Sequence, residues 1–218
     1  MSAPDPLGPR LMRGALVSVD TVVPIPRLVV FQYNPDSVTR TLTARTPNTD
    51  GTRVTATRLA GAPRETIRMD VDIDAADQLE NSDPIATSLG IYPQLSTLEM
   101  LLYPSSVEVI ANTALIATGS VELLPSPAPL TLLIWGAKRT LPVRMTEFTI
   151  TEQAHDATLN PIRASVALGL TVMSYEDFSI TNPGYYVFLA HQVVKEGMAI
   201  LNTVSDTASV VTGGARLF

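Results

Sequence analysis

The chain contains no cysteine in 218 residues, which excludes disulfides, thiolate metal sites and cysteine nucleophiles and fits a reducing compartment or indifference to redox conditions. It has only two histidines, too few for most histidine-based metal centres. No Lys or Arg occurs between residues 69 and 135, where nine acidic residues give a local charge of −9. Residues 1–68 carry nine arginines against five acids, and residues 136–218 six bases against seven acids. An acidic middle repels phosphates, so general nucleic-acid binding is not expected. The polarity suits head-to-tail packing between copies, or a solvated acidic loop. A long apolar run is also missing. The opening "MSAPDPLGPRLMRG" has prolines where a secretory signal needs a continuous apolar stretch, and residues 1–13 read as a flexible arm. Near the other end, His191, Gln192, Lys195 and Glu196 interrupt the apolar pattern too often for a membrane span, so no direct membrane insertion is expected.

What is present is an apolar content of 45%, enough for a sizeable core. The first half reads as β. Residues 15–23 and 27–32 are apolar, β-branched runs, and residues 38–44 and 53–59 are threonine-rich and alternating. "TPNTDGT" between the last two predicts a hairpin loop with Asp50-Gly51 at its tip. Residues 65–73 alternate most cleanly: Ile67, Met69, Val71 and Ile73 share one face, and Thr66, Arg68, Asp70 and Asp72 the other. Residues 75–93 lose alternation and read as a loop or lid. The leucines at 95, 98, 101 and 102 predict a short helix over 94–103, with Ser96 and Thr97 as candidate caps. Residues 105–129, ending "PSPAP", read as loop.

A second β block follows. Residues 130–135 form a continuous apolar strand ending at Trp135, and residues 136–139 a turn. Along 141–151 the apolar phase switches between Met145 and Phe148, which a β-bulge near Thr146-Glu147 reconciles. Residues 162–172 alternate throughout, completing three long antiparallel strands of a meander or barrel wall. A C-terminal helix starts at Asn182-Pro183, with Tyr186, Ala190, Val194, Leu201, Val204 and Ala208 as its apolar stripe and Gly213-Gly214 as its end. The expected fold class is mainly β (α+β), an antiparallel β-barrel or sandwich over residues 14–180 with an acidic insertion at 75–128, followed by a helical segment at 181–218.

Chemistry is scarce. "DVDID" at 70–74 resembles the start of a calcium-binding loop, but Ala75 and Asn81 stand where that loop needs glycine and a carboxylate. No phosphate loop, G-x-S-x-G, G-x-G-x-x-G or H-E-x-x-H occurs. His155 and Asp156 are neighbours on an extended segment and point apart, so they read as surface turn residues; His191 reads as a packing or capping residue. No catalytic residue, metal site or cofactor is expected. Trp135 reads equally as a core residue or an interface anchor. The Asn34-Pro35 break after "LVVFQY" is either a plain turn or a strand exit shaped by a partner.

Three segments in order carry a resemblance: "FQYNP" at 31–35, T-E-x-x-I-T-E at 146–152 and "LNPIRA" at 159–164, with "LLIWG" and "NPGYYVFLAHQ" alongside. Together they resemble the tube/baseplate adaptor family of contractile injection systems, the phage-tail-like particles that drive a rigid tube into a target. The resemblance implies a tail-tube-like β fold, a structural role where the inner tube meets the baseplate, and six-fold rings with other copies. Implied partners are the tube or tube initiator, hub-spike and wedge proteins. Assembly in the cytoplasm, with or without later release of the particle, is expected. A tube-initiator or tube-cap role, or a stand-alone ligand-binding β-barrel, are the alternatives. Longer relatives carry a C-terminal LysM module, which is not expected here, nor is the cell-wall binding that goes with it. The residues expected at interfaces are Phe31, Gln32, Tyr33, Asn34, Pro35 and Asp36 in the first segment, Trp135, then Glu147, Glu152, Asn160, Pro161 and Arg163 in the later ones. A second expected contact joins the basic first block of one copy to the acidic 70–83 region of another.

Overall fold

The computed structural model describes residues 12–19, 26–46, 59–117 and 129–211, with side chains to residue 203. Residues 1–11 of the expected 1–13 arm, 47–52 of the expected hairpin loop, 53–58 of the 53–59 strand, 125–128 of the "PSPAP" connector and the Gly213-Gly214 stop lie outside the described residues. Within them, seven strands form one sheet: β1 (Ala15–Val19), β2 (Arg27–Val30), β3 (Val38–Thr43), β4 (Arg64–Asp74), β5 (Leu130–Ile134), β6 (Thr140–His155) and β7 (Pro161–Val172). The order is β2-β1-β5-β6-β7-β4-β3, antiparallel at every pairing. β5, β6 and β7 are the expected meander.

β4 shows why the sheet has two faces. Its residues alternate strictly between exposed and buried, and Ile67, Met69, Val71 and Ile73 enter the core together with Val166, Leu168 and Leu170 of β7 and Leu141 and Val143 of β6. Each fully buried aliphatic side chain contributes about 1.5–3 kcal/mol. β6 changes phase as expected: its register shifts between Met145 and Glu147. Gly169 lies opposite the bulge, where a Cβ would come within 2.7 Å of the Glu147 Cβ. The Thr-Glu dipeptide recurs at Thr151-Glu152, and a second shift follows between Glu152 and Ala154.

The sheet curls. Val29, Val30 and Gln32, at the end of β2, line the same groove as Val71 and Ile73 of β4. The edge strands β2 and β3 do not pair with each other among the described residues, so one curled sheet, not two stacked layers, surrounds the core.

Residues 75–93 are a correction. They hold α1 (Ala76–Glu80), α2 (Pro84–Leu89) and the start of α3 (Tyr92–Glu99). The Asp83 carboxylate accepts the Ile85 and Ala86 N–H groups while Pro84 fills the first turn, and Gly90 ends α2 at φ +59°. α3 starts earlier and ends sooner than the leucine spacing implied, and Ile91, Leu95 and Leu98 plug the curled sheet. Thr97 does not cap it; its hydroxyl donates back to the Pro93 carbonyl at 2.7 Å. Residues 105–129 also differ from the expected loop, since α4 occupies Ser106–Ala117.

α5 (Pro183–Val211) begins where expected, with the Gly184 N–H donating to the Asn182 side chain at 2.8 Å. Its packing face is another matter. Tyr186, Val194 and Leu201 of the expected stripe are exposed, while Gly184, Phe188 and His191 are buried. Phe188 stacks edge-on against Tyr175 at 5.7 Å. A polar contact explains the reversal: Glu65 on β4, 3% exposed, is held by Arg40 of β3 and approached by Lys195 of α5 at 3.6 Å. A charge in the buried phase of a strand needs partners, and those partners fix which side of α5 faces the sheet.

Candidate assembly interface

The "FQYNP" segment leaves β2 and turns each side chain to a different task. Phe31 is buried and packs against Trp135 with ring centroids 6.3 Å apart. Its N–H donates to the Gly14 carbonyl at 2.9 Å, extending the β1–β2 ladder by one rung. Gly14 must be glycine for this, since a Cβ would stand 2.6 Å from the Trp135 ring and 2.8 Å from Phe31. Asn34 continues the pairing with its side chain: Oδ1 accepts the Gly14 N–H and Nδ2 donates to the Met12 carbonyl, both at 2.9 Å. Gln32 reaches the opposite way and accepts the Asp74 N–H at 2.9 Å, at the far end of β4.

Asp74 thereby joins the first segment to the third. Its carboxylate accepts Arg163 Nε at 2.7 Å and the Ala76 N–H at 2.8 Å. Burial raises its pKa, but these two donors outweigh that and hold the carboxyl below its ordinary 3.8. The rest of "LNPIRA" closes the β6–β7 turn. Asp156 accepts from the Thr158 N–H and hydroxyl and from the Asn160 N–H, and Asn160 Nδ2 returns to the second Asp156 oxygen at 2.9 Å. The Asn160 side chain, then Thr158, lower the Asp156 carboxyl to about 2. Asn160 also donates to the Ser88 carbonyl of α2, and the buried Pro161 offers its carbonyl to the Ile91 N–H at 2.9 Å.

The middle segment lies on the outer face of the sheet. Glu147, at the bulge, pairs with Arg68 of β4 at 2.9 Å, and Glu152 with His155 at 2.9 Å. The structure therefore brings the Gln32 and Arg163 positions together through Asp74 and leaves Glu147 and Glu152 separately paired. Trp135 is half-buried against the core. Tyr33 and Asp36 project, and with Asn34, Pro35, Asp70 and Asp72 they line a polar groove of about 300 Å³. Three carboxylates there suit a basic partner surface. Among the described residues no group of three or more acidic or histidine side chains is arranged to hold a metal ion, and no helix is long and apolar enough to cross a membrane.

The cluster of Arg40, Glu65, His191 and Lys195 was not anticipated, although Glu65 shares the phase of Ile67 and Met69 and so signals a buried charge. His191 is 6% exposed and neither ring nitrogen makes a hydrogen bond of normal geometry. Burial first, then the Lys195 and Arg40 charges, lower its pKa against the opposing pull of the Lys138 backbone and Glu65.

No protein-family model matches the chain, and no curated protein matches it. Among solved structures the chain is similar to one in the cryo-EM structure of the anti-feeding prophage (AFP) baseplate, 6-fold symmetrised, at 13% identity and a TM-score of 0.25, over 79% of this chain and 94% of that chain. A TM-score that low gives the likeness no weight for fold or function.

Proposed function

We propose that the chain is a structural component of a contractile injection system, an inner baseplate adaptor joining the inner tube or its initiator to the hub and wedges as part of a six-fold ring. What supports this is the use the fold makes of the segments that resemble the adaptor family. Gln32 and Asn34, Asp74 and Arg163, and Asn160 and Pro161 spend their hydrogen bonds on backbone and on each other. Such residues mark a shared fold, and the role then falls to exposed surfaces: the Tyr33–Asp36 groove and the exposed apolar side chains of α4 and α5. The role is mechanical and involves no catalytic step.

The test is light-scattering mass after size exclusion, for the chain alone and mixed with the tube, hub and wedge proteins of its own system, with electron microscopy of the peak. A discrete complex containing the chain is expected. A monomer that joins none of those proteins overturns the assignment.

A further inference from the structure

Among the described residues only two ionisable side chains are buried, Glu65 and His191, and both sit where α5 meets the sheet. They are held differently. Glu65 on β4 accepts from Arg40 Nε on β3 at 2.6 Å and lies 3.6 Å from Lys195 Nζ, whereas neither ring nitrogen of His191 makes a hydrogen bond of normal geometry. A buried imidazole in that state is tolerated neutral, because an added proton would bring a charge with neither water nor a bonded partner. The charged groups facing it are Lys195, one turn further along α5, Arg40 of β3 and Glu65 of β4. The Lys138 backbone, in the β5–β6 turn, also favours the charged form, but not at normal hydrogen-bond geometry. Two cations therefore oppose one carboxylate, and Arg40 already engages that carboxylate.

The hold of α5 on the rest of the chain is small. Its docking face is Gly184, Phe188, His191 and Lys195, at spacings of three and four residues. Phe188 meets Tyr175 at 5.7 Å, and the absence of a side chain at Gly184 leaves room for the Phe178 ring. Residues 196–203 are exposed, so His191 is the last buried side chain described along the helix. A segment with so few buried contacts opens at a lower free energy than the strands beneath it, and a helix without its packing face has little stability of its own.

We propose that α5 is an acid-released latch: protonation of His191 frees residues 183–195 from the sheet while the seven strands stay folded. This goes beyond the baseplate assignment and does not depend on it. On release the imidazolium gains water and stands clear of Arg40, while Glu65 keeps its Arg40 partner on the neighbouring strand. The Phe188 ring leaves Tyr175, so the same step uncovers an aromatic surface. One proton is taken up per release. Docking is then at full strength above about pH 6.5, the ordinary imidazole value, and weakens by up to about tenfold per pH unit below it until the docked ring itself titrates.

Amide hydrogen exchange of the full chain at about pH 7.5 and about pH 5.5, each corrected for the intrinsic exchange rate, tests this. Amides of residues 183–195 should lose about three- to tenfold of their protection at the lower pH, those of β7 should lose none, and His191→Leu should remove the loss, because leucine fills the site and binds no proton. No loss in the unaltered chain, an equal loss in β7, or the same loss in His191→Leu overturns the proposal. Should that variant fail to fold, proton NMR of the unaltered chain decides. It has only two histidines, so the His191 ring is read directly beside that of the exposed His155. A His191 ring that titrates below 6.5 supports the latch, and one that titrates at or above 6.5 overturns it.

Discussion

Asp74 and Arg163 meet at 2.7 Å across neighbouring strands, β4 and β7, where their backbones are already register partners. The same Asp74 gives its N–H to Gln32, so one residue ties the strand exit, the end of β4 and the start of β7. Asp74→Asn and Arg163→Gln should each lower stability by about 1–2 kcal/mol, and the double variant by less than the sum, because both remove one interaction. Urea denaturation of the four proteins measures this. Since the Asp74 carboxyl is held below 3.8, its contribution is present above that pH and is lost as pH falls below it.

Asn34 stands for two backbone hydrogen bonds to Met12 and Gly14. Asn34→Ala should destabilise the isolated chain by about 2 kcal/mol, whereas Asp36→Ala, on an exposed side chain, should change stability by less than about 0.5 kcal/mol. If the groove is an interface, Asp36→Ala should instead weaken co-purification with the partner proteins. Thermal melts beside pull-downs separate the two effects.

Two glycines should respond in opposite directions. Gly90 has φ +59° and a Cβ there would lie 2.1 Å from the Pro161 carbonyl; Gly90→Ala should cost more than about 2 kcal/mol. Gly197 lies in open helix, and Gly197→Ala should raise the stability of the isolated chain by about 0.5–1 kcal/mol. Paired denaturation curves decide.

His191 is held neutral in the fold, with its pKa below the ordinary 6.5. The stability that depends on its neutral form is fully present above about pH 6.5 and is lost as pH falls from there through the folded-state value. The melting temperature should decline across that window, and His191→Leu should flatten the decline. An unchanged profile in the variant would assign it to other groups.

β4 and the β6 bulge were legible because a two-residue period has one buried face, and a phase change in it has few causes. The second β6 shift had the same Thr-Glu signature at 151–152 but no apolar residues beyond it to show a phase. α1 and α2 span five and six residues, under two turns, and leave no helical period; only Asp83-Pro84 marked a start. α4 was hidden for a different reason: its apolar residues spread over most of its circumference and leave no single stripe. In α5 the apolar stripe was visible, yet the sheet takes the face with His191 and Lys195, because the Glu65 charge lies 130 residues away in sequence from Lys195. The clamps of Gln32 and Asn34 are side-chain-to-backbone bonds over 42 and 20 residues, which local pattern does not encode. The segments that carried the family resemblance were thus visible in the sequence, while the work they do in the fold was not.

The bond from Pro161 to Ile91 and that from Asn160 to Ser88 make the β6–β7 turn and the α2–α3 junction a single cooperative unit, or foldon. Neither can open without breaking the other's capping bonds, so their amide protons should exchange with solvent at a common rate. α4 brings no buried side chain to the sheet, so its amides should exchange faster in the free chain than those of either of these two elements.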